Sequence, residues 1–205
     1  MLGKRLLLVS VAVFLLASCS HSKSRSSSQK TTEPLPGKLS QPPTVYIDKG
    51  ACPFECCTYT EWGVEADAKL YREPHSSDVV GLIKKGENVD GLTGEVHVDP
   101  ALATAVSHHA VPGGPTFEEG DTFYLLTYLG EGQNKIWFKG FILTIDSTGI
   151  QGEGKGYEYY ESSASNHWAV LKERYKSVWW KKIKSKSGVI GWTKEDVFSG
   201  QDACG

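Results

Sequence analysis

Cysteines are the residues of this chain whose chemistry is most restricted by their spacing. Apart from Cys19 there are four of them, Cys52, Cys56, Cys57 and Cys204. Thiols pair as disulfides, ligate zinc or act as nucleophiles. The first 18 residues predict that the chain is exported, and an even number of cysteines in an exported chain indicates disulfides. Zinc sites usually repeat a C-x2–4-C pair with histidine, and a nucleophilic cysteine needs a histidine beside it. We therefore predict two disulfides, no bound metal and no catalytic cysteine.

The pairing of these four cysteines is only partly fixed by the sequence. Four cysteines allow three pairings. A bond between the neighbours Cys56 and Cys57 would be strained, which disfavours the pairing that contains it. In the two pairings that remain, one of these neighbours binds Cys204 and the other binds Cys52. Either one would tie the start of the folded part to its last residues.

Aromatic side chains are the candidates for ligand binding. Neighbouring residues of a strand point to opposite faces, so Trp179 and Trp180 cannot both enter one core. Aromatic rings stack on sugars and peptide planes at a modest entropic cost. The candidate ligand-binding residues are Trp137, Trp179, Trp180, Trp192 and Tyr159. The alternative for each ring is that it fills a small core or the seam between two cores.

Basic residues are concentrated near the end of the chain. They are Lys172, Arg174, Lys176, Lys181, Lys182, Lys184, Lys186 and Lys194. Such a cluster suits acidic wall polymers or phospholipid headgroups, and it equally suits a solvated sheet edge that lysines protect from aggregation.

Motifs that would identify a reaction are absent from the sequence. There is no G-x-S-x-G, P-loop, H-E-x-x-H or EF-hand pattern. The histidines that follow the first fifty residues, His75, His97, His108, His109 and His167, lie in no recognisable signature. The formal net charge of −2 gives no reason to expect nucleic-acid binding. We expect a protein without a cofactor and without enzymatic activity.

The first 18 residues are typical of an export signal. Lys4 and Arg5 precede an apolar stretch over residues 6–16 that is too short to span a bilayer. The sequence Leu-Ala-Ser-Cys that ends at Cys19 resembles the lipobox of bacterial lipoproteins. The resemblance implies that Cys19 is lipidated, and Ser20 rather than Asp at the next position implies anchoring to the outer membrane with the rest of the chain facing the periplasm. The alternative is an ordinary signal peptide.

Residues 19–43 are predicted to form a disordered tether. They are rich in Ser, Pro, Lys and Thr and contain no aromatic residue. Such a segment cannot bury enough apolar surface to fold. The folded part is therefore expected to be residues 44–205.

Turn residues recur every eight to twelve positions in the folded part, which favours an all-β sandwich or barrel. The predicted strands cover residues 62–66, 68–71, 79–83, 88–93, 122–129, 135–138, 141–145, 178–183 and 189–192. Short helical connections are expected at residues 100–106 and 166–174, and the second of these segments is equally compatible with a strand.

Two separated segments are similar to the bacterial SH3 domain. Residues 68–89 resemble its opening, with an apolar strand followed by Lys-Gly-Glu, and residues 179–198 resemble its close, with Trp-Trp before a glycine turn and Gly-Trp-Thr after it. The intervening residues echo the opening at 119–131. The resemblance implies two small SH3-like barrels, tandem or nested, the first about 60–98 completed by 176–199 and the second about 113–160. The alternative is one barrel with a long loop.

The function that these features favour is binding. We expect a non-enzymatic envelope lipoprotein whose barrels bind a peptide, a partner protein or peptidoglycan. One alternative is a structural or assembly subunit of an envelope complex. A cell-wall peptide hydrolase is a further alternative, because SH3-like modules often accompany such enzymes.

Overall fold

Strands make up the regular secondary structure of the part of the chain that is described. The computed structural model describes residues 39–152 and 167–204, and these contain no helix. Their strands are β1 (Tyr46–Lys49), β2 (Glu61–Val64), β3 (Ala68–Tyr71), β4 (Val79–Ile83), β5 (Asn88–Asp99), β6 (Ala101–Ala105), β7 (His109–Ala110), β8 (Thr116–Phe117), β9 (Thr122–Gly130), β10 (Gln133–Phe138), β11 (Phe141–Asp146), β12 (Ile150–Gly152), β13 (Ala169–Leu171), β14 (Lys176–Lys184), β15 (Ile190–Thr193) and β16 (Phe198–Ser199). The expected all-β class is confirmed.

The first sheet has eight strands and curls around a core. Its order is β16-β2-β5-β14-β15-β3-β4, and β1 pairs with β5 beside this path. The long strand β5 pairs with β14 along most of its length, from Asp90 to Asp99. On its other side it pairs with β2 in its first half and with β1 in its second half.

The second sheet has six strands in the order β11-β10-β9-β6-β13-β12. All of them lie in the sequence between β5 and β14. The chain therefore leaves the first sheet after Asp99, builds the second sheet and returns to the first at Lys176. A two-stranded ribbon of β7 and β8 lies within the same excursion.

Each sheet has a separate hydrophobic core built from alternate residues of its strands. In β6 the buried positions are Ala101, Ala103 and Ala105, which join a core with Phe123 and other residues of the second sheet and with Phe117 of the ribbon. The period of two is that of a strand with one face covered. The core of the first sheet is a second set of residues, which includes Trp62, Leu70, Ile83, Val96, Val98 and Trp179.

Gly91 allows β5 to pass directly over the indole of Trp62. A Cβ atom at this position would lie 2.6 Å from Trp62 Cζ2. Trp62 is fully buried, and its Nε1 donates a hydrogen bond of 3.0 Å to the carbonyl oxygen of Thr58. The ring is therefore fixed at the centre of the first core, where glycine is the residue that fits against it.

The helix expected at residues 100–106 is wrong, and of the two alternatives left open for residues 166–174 the strand is the one observed. Residues 100–106 contain strand β6, and residues 166–174 contain strand β13. These strands pair with each other, and β6 also pairs with β9. Alanine and leucine favour a helix locally, but here the alternating burial of Ala101–Ala105 in a sheet overrides that preference. The second sheet thus begins in the chain at Ala101, with β6.

Two disulfides close the folded part, in one of the two pairings left open by the sequence. Cys52 binds Cys57, with Cα atoms 6.1 Å apart, and Cys56 binds Cys204, with Cα atoms 5.6 Å apart. Backbone hydrogen bonds run alongside the second bond, since the amide of Ala203 donates to the carbonyl oxygen of Cys56. The end of the chain is therefore attached next to its first strands.

Lys181 is a buried lysine within the first core. Its side chain is 2% exposed, with Nζ 4.4 Å from the ring centroid of Trp179 and 3.9 Å from the carboxylate of Asp196. Burial lowers the pKa of Lys181, and the nearby carboxylates of Asp196 and Glu195 oppose that shift. The folded protein therefore binds this proton less tightly than the unfolded chain does.

Removing each disulfide separately should show which one controls stability. Loop-closure entropy predicts a loss of about 5 kcal/mol for Cys56→Ser with Cys204→Ser, whose residues are 148 positions apart, and about 2 kcal/mol for Cys52→Ser with Cys57→Ser, which are 5 apart. Urea unfolding of the two double variants measures both. An equal loss in the two variants would contradict the role assigned to the long-range bond.

Replacing Lys181 by methionine should change how stability depends on pH. A lowered folded-state pKa means that the wild type gains stability as pH rises toward the unfolded value of about 10.4, and Lys181→Met should lack that gain. At pH 7 the variant should be at least as stable as the wild type, because the buried charge is gone. Urea unfolding at pH 7 and 9.5 measures both effects. Lys184→Met, at an exposed position of the same strand, should keep the wild-type pH dependence.

Candidate functional site

Trp179 lies on the core face of β14. It is 9% exposed and packs edge-on against Trp62 at 6.1 Å between ring centroids. Phe54 contacts it from the loop that the Cys52–Cys57 disulfide closes, which we call the disulfide loop, and Tyr59 contacts it from just after that loop. This ring therefore fills the first core and presents little surface to a ligand.

Trp180 and Trp192 lie on the opposite, outer face of the first sheet. They are 3% and 9% exposed. The ammonium groups of Lys194 and Lys182 lie 5.9 Å and 5.6 Å from their respective ring centroids. Tyr71 packs edge-on against Trp180. The two indoles are thus covered by neighbouring side chains, which leaves little of either ring for stacking with a ligand.

Trp137 differs from the other three because it is half-buried on the outer face of the second sheet. Its cross-strand partners are Tyr124 on β9 and Ile142 on β11, and Tyr124 in turn faces Leu102 on β6. All four side chains are half-buried. We call Leu102, Tyr124, Trp137 and Ile142 the apolar row, because they form a continuous line across four strands.

The two rings of the apolar row hold each other in a defined orientation. Tyr124 and Trp137 are 6.0 Å apart between ring centroids at an interplanar angle of 72°. Edge-on packing of this kind is favourable beyond the buried area alone. The Nε1 atom of Trp137 is buried and has no hydrogen-bond partner among residues 39–152 and 167–204.

A cavity of about 320 Å³ lies at the Leu102 end of the apolar row. Besides Leu102 and Tyr124, its lining includes charged side chains of the segment that leads into β14 and of the end of β5. Three are cationic, Lys172, Arg174 and Lys176, and two are carboxylates, Asp99 and Glu173. We call this cavity the basic cleft. It can accept the carboxylates of a ligand whose apolar part lies on the row.

A second cavity, of about 690 Å³, lies between the disulfide loop and the turn that joins β9 to β10. Glu55 spans it, accepting hydrogen bonds from the hydroxyl of Tyr128 at 2.8 Å and the backbone amide of Glu131 at 2.6 Å. The amide of Glu131 and then this hydroxyl lower the pKa of Glu55. Both hydrogen bonds are accepted by Glu55 Oε1, and they attach the disulfide loop to the second sheet.

Metal-ligating side chains come together at one group of three in the described ranges, Cys56, Asp202 and Cys204. The two sulfurs of that group are bonded to each other. They offer no thiolate to a metal or to a substrate while the disulfide is intact.

The sequence did not identify most of the residues of the row and the cleft. Trp137 was a candidate, but Leu102 fell in a segment assigned to a helix, and Tyr124 lay in a predicted strand without being singled out. The strand-like alternation of residues 101–105 was the signal that could have found Leu102. Tyr159 and Cys19, which the sequence also singled out, lie outside the described residues.

Comparison with protein-family models, curated proteins and solved structures finds no match to this chain. The likeness to bacterial SH3 domains and the lipoprotein signal therefore stay predictions from the sequence. Within residues 39–152 and 167–204, no helix has the length and hydrophobicity needed to cross a bilayer.

Proposed function

We propose that this chain is a non-enzymatic binding protein of the bacterial envelope, which binds an acidic peptide such as the stem peptide of peptidoglycan. The apolar row is the platform, and the basic cleft holds the carboxylates of the ligand. The observation that carries the proposal is the continuity of these two features, since Leu102 and Tyr124 belong to both.

The apolar row is suited to a peptide or sugar chain that lies flat. Its four side chains follow one another across neighbouring strands, and adjacent strands are about 4.8 Å apart. The row therefore spans roughly 15 Å, which is the length of four or five extended residues. Half-exposed aromatic rings at its centre supply stacking surface with few rotamers to restrict.

The basic cleft supplies the charge selectivity. Lys172, Arg174 and Lys176 are all exposed at its rim. Exposed ammonium and guanidinium groups attract carboxylates over about one Debye length, and the attraction weakens as salt is added. The carboxylates of Asp99 and Glu173 at the same cavity repel a ligand that places its negative charge out of register.

The proposed location follows from the N-terminal segment. A chain lipidated at Cys19 and linked through residues 19–43 would present the folded part to the periplasm, where peptidoglycan lies. SH3-like barrels that bind wall fragments or peptides are consistent with this placement.

A second candidate is an assembly subunit of an envelope complex. The apolar row favours it, because a half-exposed apolar strip also suits a protein partner. A protein partner would use the row and depend little on the cleft. A cell-wall hydrolase has less support, since the four cysteines that could serve as nucleophiles are paired.

Binding to purified sacculi tests the proposal. The full chain should sediment with sacculi, and Trp137→Ala and Tyr124→Ala should each weaken binding about five- to tenfold through lost stacking, on a scale where tenfold is about 1.4 kcal/mol. Lys172→Glu combined with Lys176→Glu should weaken it further and reduce its dependence on salt.

Matched controls separate the cleft from general effects of charge and hydrophobicity. Lys186→Glu, at an exposed turn of the first sheet, and Leu82→Ala, at an exposed position of β4, should bind like the wild type. Loss of sacculus binding in the row variants but not in the cleft variant would contradict the role assigned to the cleft. Wild-type binding to sacculi by all the row and cleft variants would refute the proposed site.

A further inference from the structure

Three ionisable side chains form an unbroken hydrogen-bonded chain on the outer face of the first sheet. His97 Nε2 lies 2.9 Å from a carboxylate oxygen of Glu95, and His97 Nδ1 lies 2.9 Å from His75 Nε2. Glu95 and His97 are two positions apart on β5, so both point to the outer face. His75 reaches them from the loop between β3 and β4.

The carboxylate fixes which nitrogen of His97 carries a proton. An ionised Glu95 only accepts hydrogen bonds, so Nε2 of His97 must donate. In the neutral ring the lone pair is then on Nδ1, which faces His75. His97 is 8% exposed, so this lone pair is held in place by its surroundings and directed at one partner.

His75 is positioned by an uncommon backbone conformation. Its φ is +61°, in the left-handed region that residues other than glycine seldom adopt. Its ring packs on Trp180, with 5.2 Å between ring centroids, and faces the ring of His97 at 4.9 Å. The left-handed backbone conformation of His75 costs free energy. It places the exposed imidazole of His75 against the buried imidazole of His97.

The carboxylate–histidine part of this arrangement is the one that proteins use to hold a metal ligand. A ligating histidine almost always donates its other ring N–H to a carboxylate or carbonyl, which sets its tautomer and orientation. Glu95 does this for His97. Two imidazole nitrogens bound to one ion at 2.0–2.1 Å are about 2.9 Å apart at a right angle and about 3.3 Å apart at a tetrahedral angle. The observed distance of 2.9 Å between His75 Nε2 and His97 Nδ1 equals the right-angle value and is shorter than the tetrahedral value.

We propose that His75 and His97 bind one divalent transition-metal ion of the imidazole-preferring class, Zn²⁺ or Cu²⁺, with Glu95 as the group that orients His97. The ion takes the place of the proton that now lies between the two rings, and water completes its coordination. The metal site is on a different sheet from the apolar row. Metal binding there does not depend on the proposed peptide binding.

Binding requires one proton shift and one small movement. The proton on His75 Nε2 moves to Nδ1 of the same ring through solvent, so both facing nitrogens offer lone pairs and no proton is lost overall. The His75 ring then turns so that the lone pairs of His75 Nε2 and His97 Nδ1 both point at the ion instead of at each other. Because His75 is exposed on a loop whereas His97 is buried on a strand, the movement falls on His75.

Trp180 provides a local reporter for the ion. It packs directly on the His75 ring, so a paramagnetic Cu²⁺ ion at this site lies within about 10 Å of the indole and should quench its fluorescence. Trp180→Phe should remove that quenching without abolishing Zn²⁺ binding, since phenylalanine retains a packing surface for His75.

Titration of the tag-free full chain with ZnCl₂, followed by calorimetry, tests the site. We expect one equivalent to bind, and His75→Gln and His97→Gln to weaken binding at least tenfold. Glu95→Gln should weaken it about 10- to 100-fold, the usual effect of losing an orienting partner. His75→Gln changes an exposed loop residue, so it remains informative if the His97 variant fails to fold.

His108 supplies the matched control. It is an exposed histidine whose Nδ1 lies 3.1 Å from a carboxylate oxygen of Glu118, without a second imidazole as partner in that contact. His108→Gln should bind Zn²⁺ like the wild type. Absence of saturable binding, wild-type affinity in His75→Gln, or an equal loss in His108→Gln would each overturn the proposal.

Discussion

The pairing of β5 with β14 is the constraint on which both sheets depend. It joins residues 90–99 to residues 176–184, and the whole second sheet is built from the chain between them. Strand β6 begins directly after β5, and β13 ends shortly before β14 begins. Strands β6 and β13, which pair with each other inside the second sheet, are therefore held where the first sheet places them. The basic cleft is formed where the chain crosses from one sheet to the other.

The pairing of β5 with β14 also explains why residues of the first core lie next to the ionisable residues of the outer face. Trp179 pairs with Val96 on the core face, whereas Trp180 pairs with Glu95 on the outer face. The core face also takes Lys181, which is buried against Trp179. The outer face carries the Glu95–His97–His75 chain. A shift of register by one residue would exchange the two faces, so the packing of the core fixes the position of the histidine site.

The sequence predicted what depends on local pattern and missed what depends on register. Nine strands could be predicted because glycine turns and apolar alternation are local signals, and the disulfide pairing was narrowed to two choices by the strain of a bond between neighbours. Residues 100–106 were assigned to a helix because alanine favours one locally, and only pairing with β9 and β13 makes them a strand. The apolar row and the contact of His75 with His97, 22 positions apart, follow from strand register, which no local pattern contains.

The nested order of the strands has a consequence for the newly made chain. Because the chain emerges from its N-terminus onward, β5 appears long before β14, and more than seventy residues separate Asp99 from Lys176. During that interval the edge of β5 that will receive β14 is unpaired, and exposed strand edges recruit other chains. The second sheet is complete once β13 has emerged, so it can fold first and bring β14 to the unpaired edge of β5. Chains truncated before Lys176 should therefore retain a β edge open to aggregation and to holdase chaperones.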